Sequence, residues 1–151
     1  MTYRPVVTVA AVAEQQGRFL LVEEHIGGRL LLNQPAGHLE EGESPESAVA
    51  REALEESGWH FEPTALVGIY LWRHAPTRVT YLRLAFAGEL RAHDPVRPLD
   101  DGVVRTVWLD RNGLAEAGVR LRSPLVLRCV DDWLAGRRYP LTLLNTLIDA
   151  P

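Results

Sequence analysis

The sequence has little cysteine and no long apolar run, and each shortage excludes a class of protein. Cys129 is the only cysteine, so no disulfide can form within the chain, and a reducing compartment, the cytoplasm, is the expected location. No apolar stretch approaches the roughly twenty residues of a membrane-spanning helix. The apolar residues 6–13 alternate like a strand and precede no signal-peptide cleavage pattern. We therefore expect a cytoplasmic protein without a membrane partner.

Positive charge is also scarce. The chain carries 16 Lys and Arg residues against 20 Asp and Glu residues, which gives a net charge of -4. Binding to nucleic acid usually needs a basic face, so no nucleic-acid partner is expected. A length of 151 residues suits one domain, residues 1–151, with a hydrophobic core of its own. Both a monomer and a homodimer agree with this composition.

The most distinctive stretch runs from Gly37 to Trp59 and combines a glycine-bearing loop with an acidic helix. Ser44 followed by Pro45 is typical of a helix start, because serine accepts from free amides of the first turn and proline needs no donor there. Gly58 is typical of a residue just past a helix end. The pattern predicts a helix from Pro45 to Ser57.

Three carboxylates lie on one side of this predicted helix. Glu52, Glu55 and Glu56 are spaced i, i+3 and i+4, which places them within an arc of about 100°. A solvated face is the ordinary interpretation of such a cluster, but like charges at this spacing repel each other. A hard divalent cation such as Mg²⁺ removes that repulsion, because it prefers carboxylate oxygens and shares its waters with substrate phosphates.

The same stretch resembles the Nudix box. The matching residues are Gly37, Glu43 after five intervening residues, and Arg51 to Trp59 after seven more. Trp59 is bulkier than the aliphatic residue usual at that position, which concerns packing and not chemistry. The resemblance implies hydrolysis of a pyrophosphate bond by water with Mg²⁺, or Mn²⁺ as a substitute.

The resemblance also implies roles for individual residues. Metal ligands are expected from the carbonyl of Ala36 and from the helix glutamates Glu52, Glu55 and Glu56. Arg51 and Glu43 match a pair that braces the helix against the loop, away from the cation.

The general base is open between two parts of the chain. Glu52 is the first assignment, because it matches the first helical glutamate of the box. Asp100 and Asp101, on the polar connection before Val103, are the alternatives, and a solvated turn is an equally good interpretation of that pair.

A narrower resemblance, to one phosphatase branch of the family, extends over most of the chain. It rests on VTVAAV near the start, LNQPAGHLE before the helix, and LRSPLV and GRRYPL near the end. It implies nucleoside di- and triphosphates and hydroxymethylpyrimidine or thiamine diphosphate as substrates. By position, substrate contacts are expected from Asn33, Gln34, Arg138 and Tyr139. The alternatives are a dinucleotide or RNA-cap pyrophosphohydrolase and a non-catalytic nucleotide sensor.

The remaining patterns predict strands on both sides of the acidic helix. Residues 6–13 and 18–23 are expected to pair as one hairpin, residues 65–72 and 79–90 as a second, and residues 103–109 form a further strand. A short helix is predicted over 110–117, and a longer one begins at Ser123 and Pro124 and ends near Gly136. Together they favour a mixed sheet with helices on both faces, and the resemblance implies the same α/β/α sandwich. The strand aromatics Tyr70, Trp72 and Tyr81 are expected in the core, or one of them beside a flat heterocycle.

Overall fold

The computed structural model describes residues 1–148. The strands are β1 Val6–Val12, β2 Glu14–Gln15, β3 Arg18–Ile26, β4 Arg29–Asn33, β5 Ala36–His38, β6 Trp59–Arg73, β7 Thr80–His93 and β8 Val103–Leu109. The α-helices are α1 Pro45–Ser57, α2 Arg111–Ala117 and α3 Pro124–Leu134, with short 3₁₀ turns at Gly118–Arg120 and Leu141–Leu143.

The strands form two sheets. The first has the order β5-β1-β7-β6, with β1 parallel to β7 and the other pairs antiparallel. In the second, β3 pairs with β2, β4 and β8, all antiparallel. The mixed α/β fold predicted from the sequence is therefore confirmed.

Helices cover both faces of the first sheet. On β1, Val9 and Ala11 belong to the apolar cluster that includes α1, while Val12 belongs to the cluster that includes α3. Successive strand side chains point to opposite faces, so this alternation places β1 in the middle of the sandwich. None of the helices within residues 1–148 has the length and apolarity that a membrane crossing requires.

The first predicted hairpin is wrong in its pairing. β1 pairs with β5 and β7, and only Glu14 and Gln15 turn back onto β3. The chain leaves the first sheet at Ala13, whose carbonyl accepts from Leu20 N at 2.9 Å. Residues 9–13 are at most 1% exposed, as expected of a strand buried on both faces. Its parallel partner β7 lies far along the chain, and no local sequence pattern predicts that these two strands pair.

The other predicted elements are present. The second predicted hairpin exists as β6 and β7, with both strands longer than expected. The bounds of α1 agree with the prediction: Ser44 Oγ accepts from Ser47 N at 3.1 Å, and Gly58 follows the helix with φ of 75°. A positive φ of this kind favours glycine. Helix α1 therefore begins and ends at residues that the sequence identifies.

Candidate active site

The glycine loop and helix α1 meet at Gly37. Strand β5 holds Gly37 opposite Val9 of β1, and α1 brings the Glu52 carboxyl against the Gly37 Cα. A Cβ atom at position 37 would overlap that carboxyl group. Only glycine leaves room for Glu52 here, which gives a physical reason for glycine at the first position of the motif.

Three carboxylates gather beside this contact. Oxygens of Glu52, Glu55 and Asp100 lie within 4.8 Å of one another. Asp100 arrives from the connection between β7 and β8, and its backbone N–H donates to the Glu55 carbonyl at 3.0 Å. Among residues 1–148, Asp101 takes no part in this group. A compact set of carboxylate oxygens suits a hard divalent cation.

Glu56 is outside the group of oxygens within 4.8 Å of one another, although the charges of Glu52 and Asp100 act on it. The residue is 7% exposed, and its carboxyl accepts from Ala36 N at 2.7 Å. Burial raises the pKa of Glu56 to about 9, against the opposing effect of the Ala36 N–H donor. The sequence predicts three helix glutamates in one group, whereas the structure combines two of them with Asp100 and ties the third to the backbone of the loop.

Arg51 joins the loop to the helix. Its Nη2 and Nε donate to the two carboxylate oxygens of Glu43, at 2.8 and 3.1 Å, in the forked geometry that arginine favours. This pairing lowers the pKa of Glu43. Nη2 also donates to the His38 carbonyl at 3.1 Å. The guanidinium therefore fixes the distance between the loop and α1.

Arg51 also contacts the acidic cluster, contrary to the expectation that it stays away from the cation site. Its Nη1 donates to Glu52 Oε1 at 2.9 Å and to Glu55 Oε2 at 3.2 Å. The reason is geometric, since Glu55 lies one turn along α1 and Glu52 is the next residue. Burial raises the pKa of Glu52, and the Arg51 hydrogen bond opposes the rise.

A cleft of about 590 Å³ adjoins the loop. Ala36, Gly37 and His38 line one part of it. Trp72 and Tyr81 line another part and stack with ring centroids 5.8 Å apart and planes at 20°. Two of the strand aromatics thus line a cavity, as one interpretation of the sequence expects.

Tyr70 is the exception among those aromatics. It is 8% exposed, and its hydroxyl donates to Asp132 Oδ2 at 2.7 Å. Tyr70 is therefore a core residue.

The expected substrate residues lie in different places. Asn33 lines the cleft. Gln34 is 1% exposed, accepts from Arg83 Nη1 at 2.9 Å and donates to the Val126 carbonyl at 2.7 Å. Both ends of the Gln34 amide are thus engaged internally. Gln34 therefore positions Arg83 in this structure, and its expected substrate contact stays a prediction.

Arg138 and Tyr139 are away from the cleft. Tyr139 pairs with Leu66 and lines a second cavity of about 310 Å³, which shares no lining residue with the first. The Arg138 guanidinium lies over the Trp133 ring, 4.5 Å from its centroid, and donates to the Trp133 carbonyl. Tyr139 thus lies at strand β6, and Arg138 lies against helix α3. Their expected approach to the substrate stays a prediction, and neither residue lines the first cleft.

The cleft is also lined by charged residues that were not predicted from the sequence: Arg83, Glu24, Arg29 and Arg122. Arg83 lies on the same face of β7 as Tyr81 and Ala85, two residues from each, and Glu24 lies on β3. A charged residue within a strand normally indicates the solvent face, so the sequence gives no sign that these residues line a cleft. Burial raises the pKa of Glu24.

Comparison with known proteins agrees with this geometry. A model of the NUDIX domain matches residues 2–129. Phosphatase NudJ of Escherichia coli strain K12 is 40% identical over 143 residues, which cover 95% of this chain and 92% of that protein. Phosphatase NudJ of Shigella flexneri matches to the same extent. A NUDIX hydrolase structure from Nitrosomonas europaea superposes with a TM-score of 0.93 at 48% identity, covering 95% of this chain and 98% of that one.

Proposed function

Because the chain belongs to the Nudix hydrolase family and is thus a hydrolase of phosphorus-containing acid anhydrides, we propose that it is a Mg²⁺-dependent pyrophosphohydrolase. The proposed substrates are nucleoside di- and triphosphates and hydroxymethylpyrimidine or thiamine diphosphate. The similarity to a phosphatase over 95% of the chain supports this class of substrate.

One observation carries the proposal. The carboxylate group of Glu52, Glu55 and Asp100 lies next to the loop that lines the cleft. A ligand in the cleft with its diphosphate against Gly37 would meet these oxygens. They fit Mg²⁺ by donor type. When bound, Mg²⁺ supplies positive charge to the phosphate oxygens and orients the attacking water.

The protein residues divide the remaining tasks. Glu55 and Asp100 would hold the cation, with the Ala36 carbonyl and Glu56 as further ligands on the loop side. Glu52 is the general base in this scheme. Its Oε1 accepts from Arg51, which leaves Oε2 to take the proton of the attacking water. The Arg51–Glu43 pair keeps the loop and helix at the separation that this arrangement needs.

The cleft has room for the organic group of the substrate. Its volume of about 590 Å³ is within the range of small-molecule sites. The wall formed by Trp72 and Tyr81 offers a flat surface for a ring. A heterocyclic diphosphate would fit both ends of the cleft, with its phosphates at the loop and its ring at the aromatic wall.

The test is orthophosphate release with Mg²⁺ from a panel: hydroxymethylpyrimidine diphosphate, thiamine diphosphate, nucleoside di- and triphosphates, and dinucleotides. We expect turnover of the first three classes by the wild type and a loss of about 10²- to 10⁴-fold in E52Q. E41Q is the matched control, since Glu41 is exposed on the loop between β5 and α1 and lies outside the carboxylate group. If the wild type hydrolyses none of these compounds, the proposal is wrong.

A further inference from the structure

A buried arginine lies in the wall of the cleft. Arg83 is 5% exposed, yet it contributes to the cleft lining. On the sheet it lies opposite Thr8 of β1 on one side and Tyr70 of β6 on the other. The guanidinium is thus held at the boundary between the apolar core and the cavity.

Within residues 1–148, the contacts of this charge are with neutral groups. Arg83 Nη1 donates to Gln34 Oε1 at 2.9 Å, and Nη2 donates to Asn33 Oδ1 at 3.1 Å; both acceptors are neutral amides. The third polar neighbour is the sulfur of Cys129, at 3.9 Å, and burial raises the pKa of that thiol.

No carboxylate within residues 1–148 forms an ion pair with Arg83, and its Nε is buried without a hydrogen-bond partner in that part of the chain. Burying a charge without a counter-charge is unfavourable. Arg83 nevertheless lines the cleft, and an arginine carries more N–H donors than these contacts within residues 1–148 occupy. A remaining N–H group at the cleft is therefore suited to an acceptor that a ligand brings.

The position of Arg83 indicates which part of a ligand it would contact. Thr8 pairs with both His38 of the glycine loop and Arg83, so His38 and Arg83 are two strands apart, about 10 Å. Tyr81 lies two residues before Arg83 on the same face of β7 and stacks with Trp72. A diphosphate at the loop therefore extends its organic group towards Arg83, with the aromatic wall alongside.

From these contacts we propose that Arg83 determines specificity by donating to an acceptor atom on the edge of a heterocycle that lies against Trp72 and Tyr81. The inference rests on the proposed function, and it names the substrate class more narrowly. Diphosphates of rings that carry a ring nitrogen or a carbonyl are favoured over diphosphates of hydrocarbon rings of the same shape.

Two probes of equal shape test the role of Arg83. Pyrimidin-5-ylmethyl diphosphate offers two ring nitrogens, whereas benzyl diphosphate offers none. We expect wild-type kcat/KM to favour the pyrimidine compound by about tenfold to a hundredfold, the range for a hydrogen bond to a charged group. In R83M this ratio should fall close to one, and in R83K it should be intermediate. A ratio in R83M equal to that of the wild type overturns the inference.

A second variant keeps the test decisive if R83M does not fold. N33D preserves the acceptor at 3.1 Å from Arg83 and gives it a negative charge, so the guanidinium gains a partner inside the protein. We expect N33D to raise the melting temperature and to lower the preference for the pyrimidine compound. A purely structural Arg83 would show the first effect without the second, and that result overturns the inference.

The two proposals fail in distinguishable ways. Absence of turnover of the whole substrate panel contradicts the proposed hydrolysis. The ratio of dissociation constants for the two probes, measured by calorimetry with Ca²⁺ in place of Mg²⁺, still tests Arg83 in that case. A ratio above ten in the wild type that disappears in R83M supports the assignment, and an equal ratio in both proteins refutes it.

Discussion

The Cα atom of Gly37 lies against the carboxyl group of Glu52, at a contact too close for any side chain at position 37. This contact joins strand β5 to helix α1 and places Glu52 beside Gly37, which lines the cleft. Glycine at this point is needed for space, since Gly37 is not among the glycines with positive φ.

Gly37→Ala is expected to lower kcat/KM by about a hundredfold or more. The added methyl group would displace Glu52, and misplacement of a catalytic group by about 1 Å costs this much. The measurement is steady-state hydrolysis with Mg²⁺. Gly113→Ala in α2 is the control: a Cβ there is also tight, with the nearest atoms at 3.3 Å, but α2 contributes no residue to the cleft or to the carboxylate group. Wild-type activity in G37A would show that the contact is irrelevant to catalysis.

Arg51→Lys is expected to lower kcat/KM by about tenfold to a hundredfold, as changes to the partners of metal ligands do. Lysine keeps the charge but loses the fork that binds both oxygens of Glu43. Arg111→Lys is the matched control, since Arg111 forms a similar forked pair with Asp131 on the surface. Activity should be unchanged in R111K. Equal effects of the two substitutions would contradict a special role for Arg51.

Glu52 and Asp100 should respond differently to Mg²⁺. If Glu52 is the base, E52Q loses about 10²- to 10⁴-fold in kcat at every Mg²⁺ concentration. D100N loses one ligand atom, so raising Mg²⁺ should restore much of its rate. Both rates are measured across a Mg²⁺ titration. The reverse pattern, with rescue of E52Q and none of D100N, would assign the base to Asp100.

Because the pKa of Glu56 is raised, we expect the stability of the protein to depend on pH in the absence of divalent cations. Its pKa is about 9 in the folded protein and 4.5 as the reference value, so the folded state binds more protons between these values. The free energy of unfolding therefore falls as pH rises from about 5 to 9. E56Q keeps an acceptor for Ala36 N and removes this titration, so its melting temperature should fall less over that range. E41Q should behave like the wild type, and equal slopes in all three proteins would contradict the raised pKa.

Much of the fold follows from local patterns in the sequence. Ser44, Pro45 and Gly58 define α1 because capping chemistry acts within one turn. Strand β8 agrees with its predicted bounds, 103–109, for a similar reason, since its composition and flanking turns are local.

The pairing of β1 with β7 was not predictable in this way. It joins residues 75 positions apart, such as Val6 and Tyr81, and only the complete sheet shows which strands are neighbours.

The sequence predicts that the site is a group of carboxylates, but it does not predict all of the residues that form it. The spacing of Glu52, Glu55 and Glu56 indicates a carboxylate group, but it does not show that Glu56 turns to the backbone of Ala36. Asp100 was named as an alternative acid, and its place beside Glu55 depends on a backbone hydrogen bond across the fold. Arg83 carries no local sign of burial, because its environment is built from β4, β7 and α3 together.

The most direct measurement is the rate of orthophosphate release from hydroxymethylpyrimidine diphosphate as a function of Mg²⁺ concentration, for the wild type, E55Q and E41Q. The wild type should be inactive in EDTA and saturate with Mg²⁺. E55Q should need at least about tenfold more Mg²⁺ for half its maximal rate, and E41Q should match the wild type. Equal activity of the wild type with and without Mg²⁺, or the same Mg²⁺ dependence in E55Q, would contradict the account.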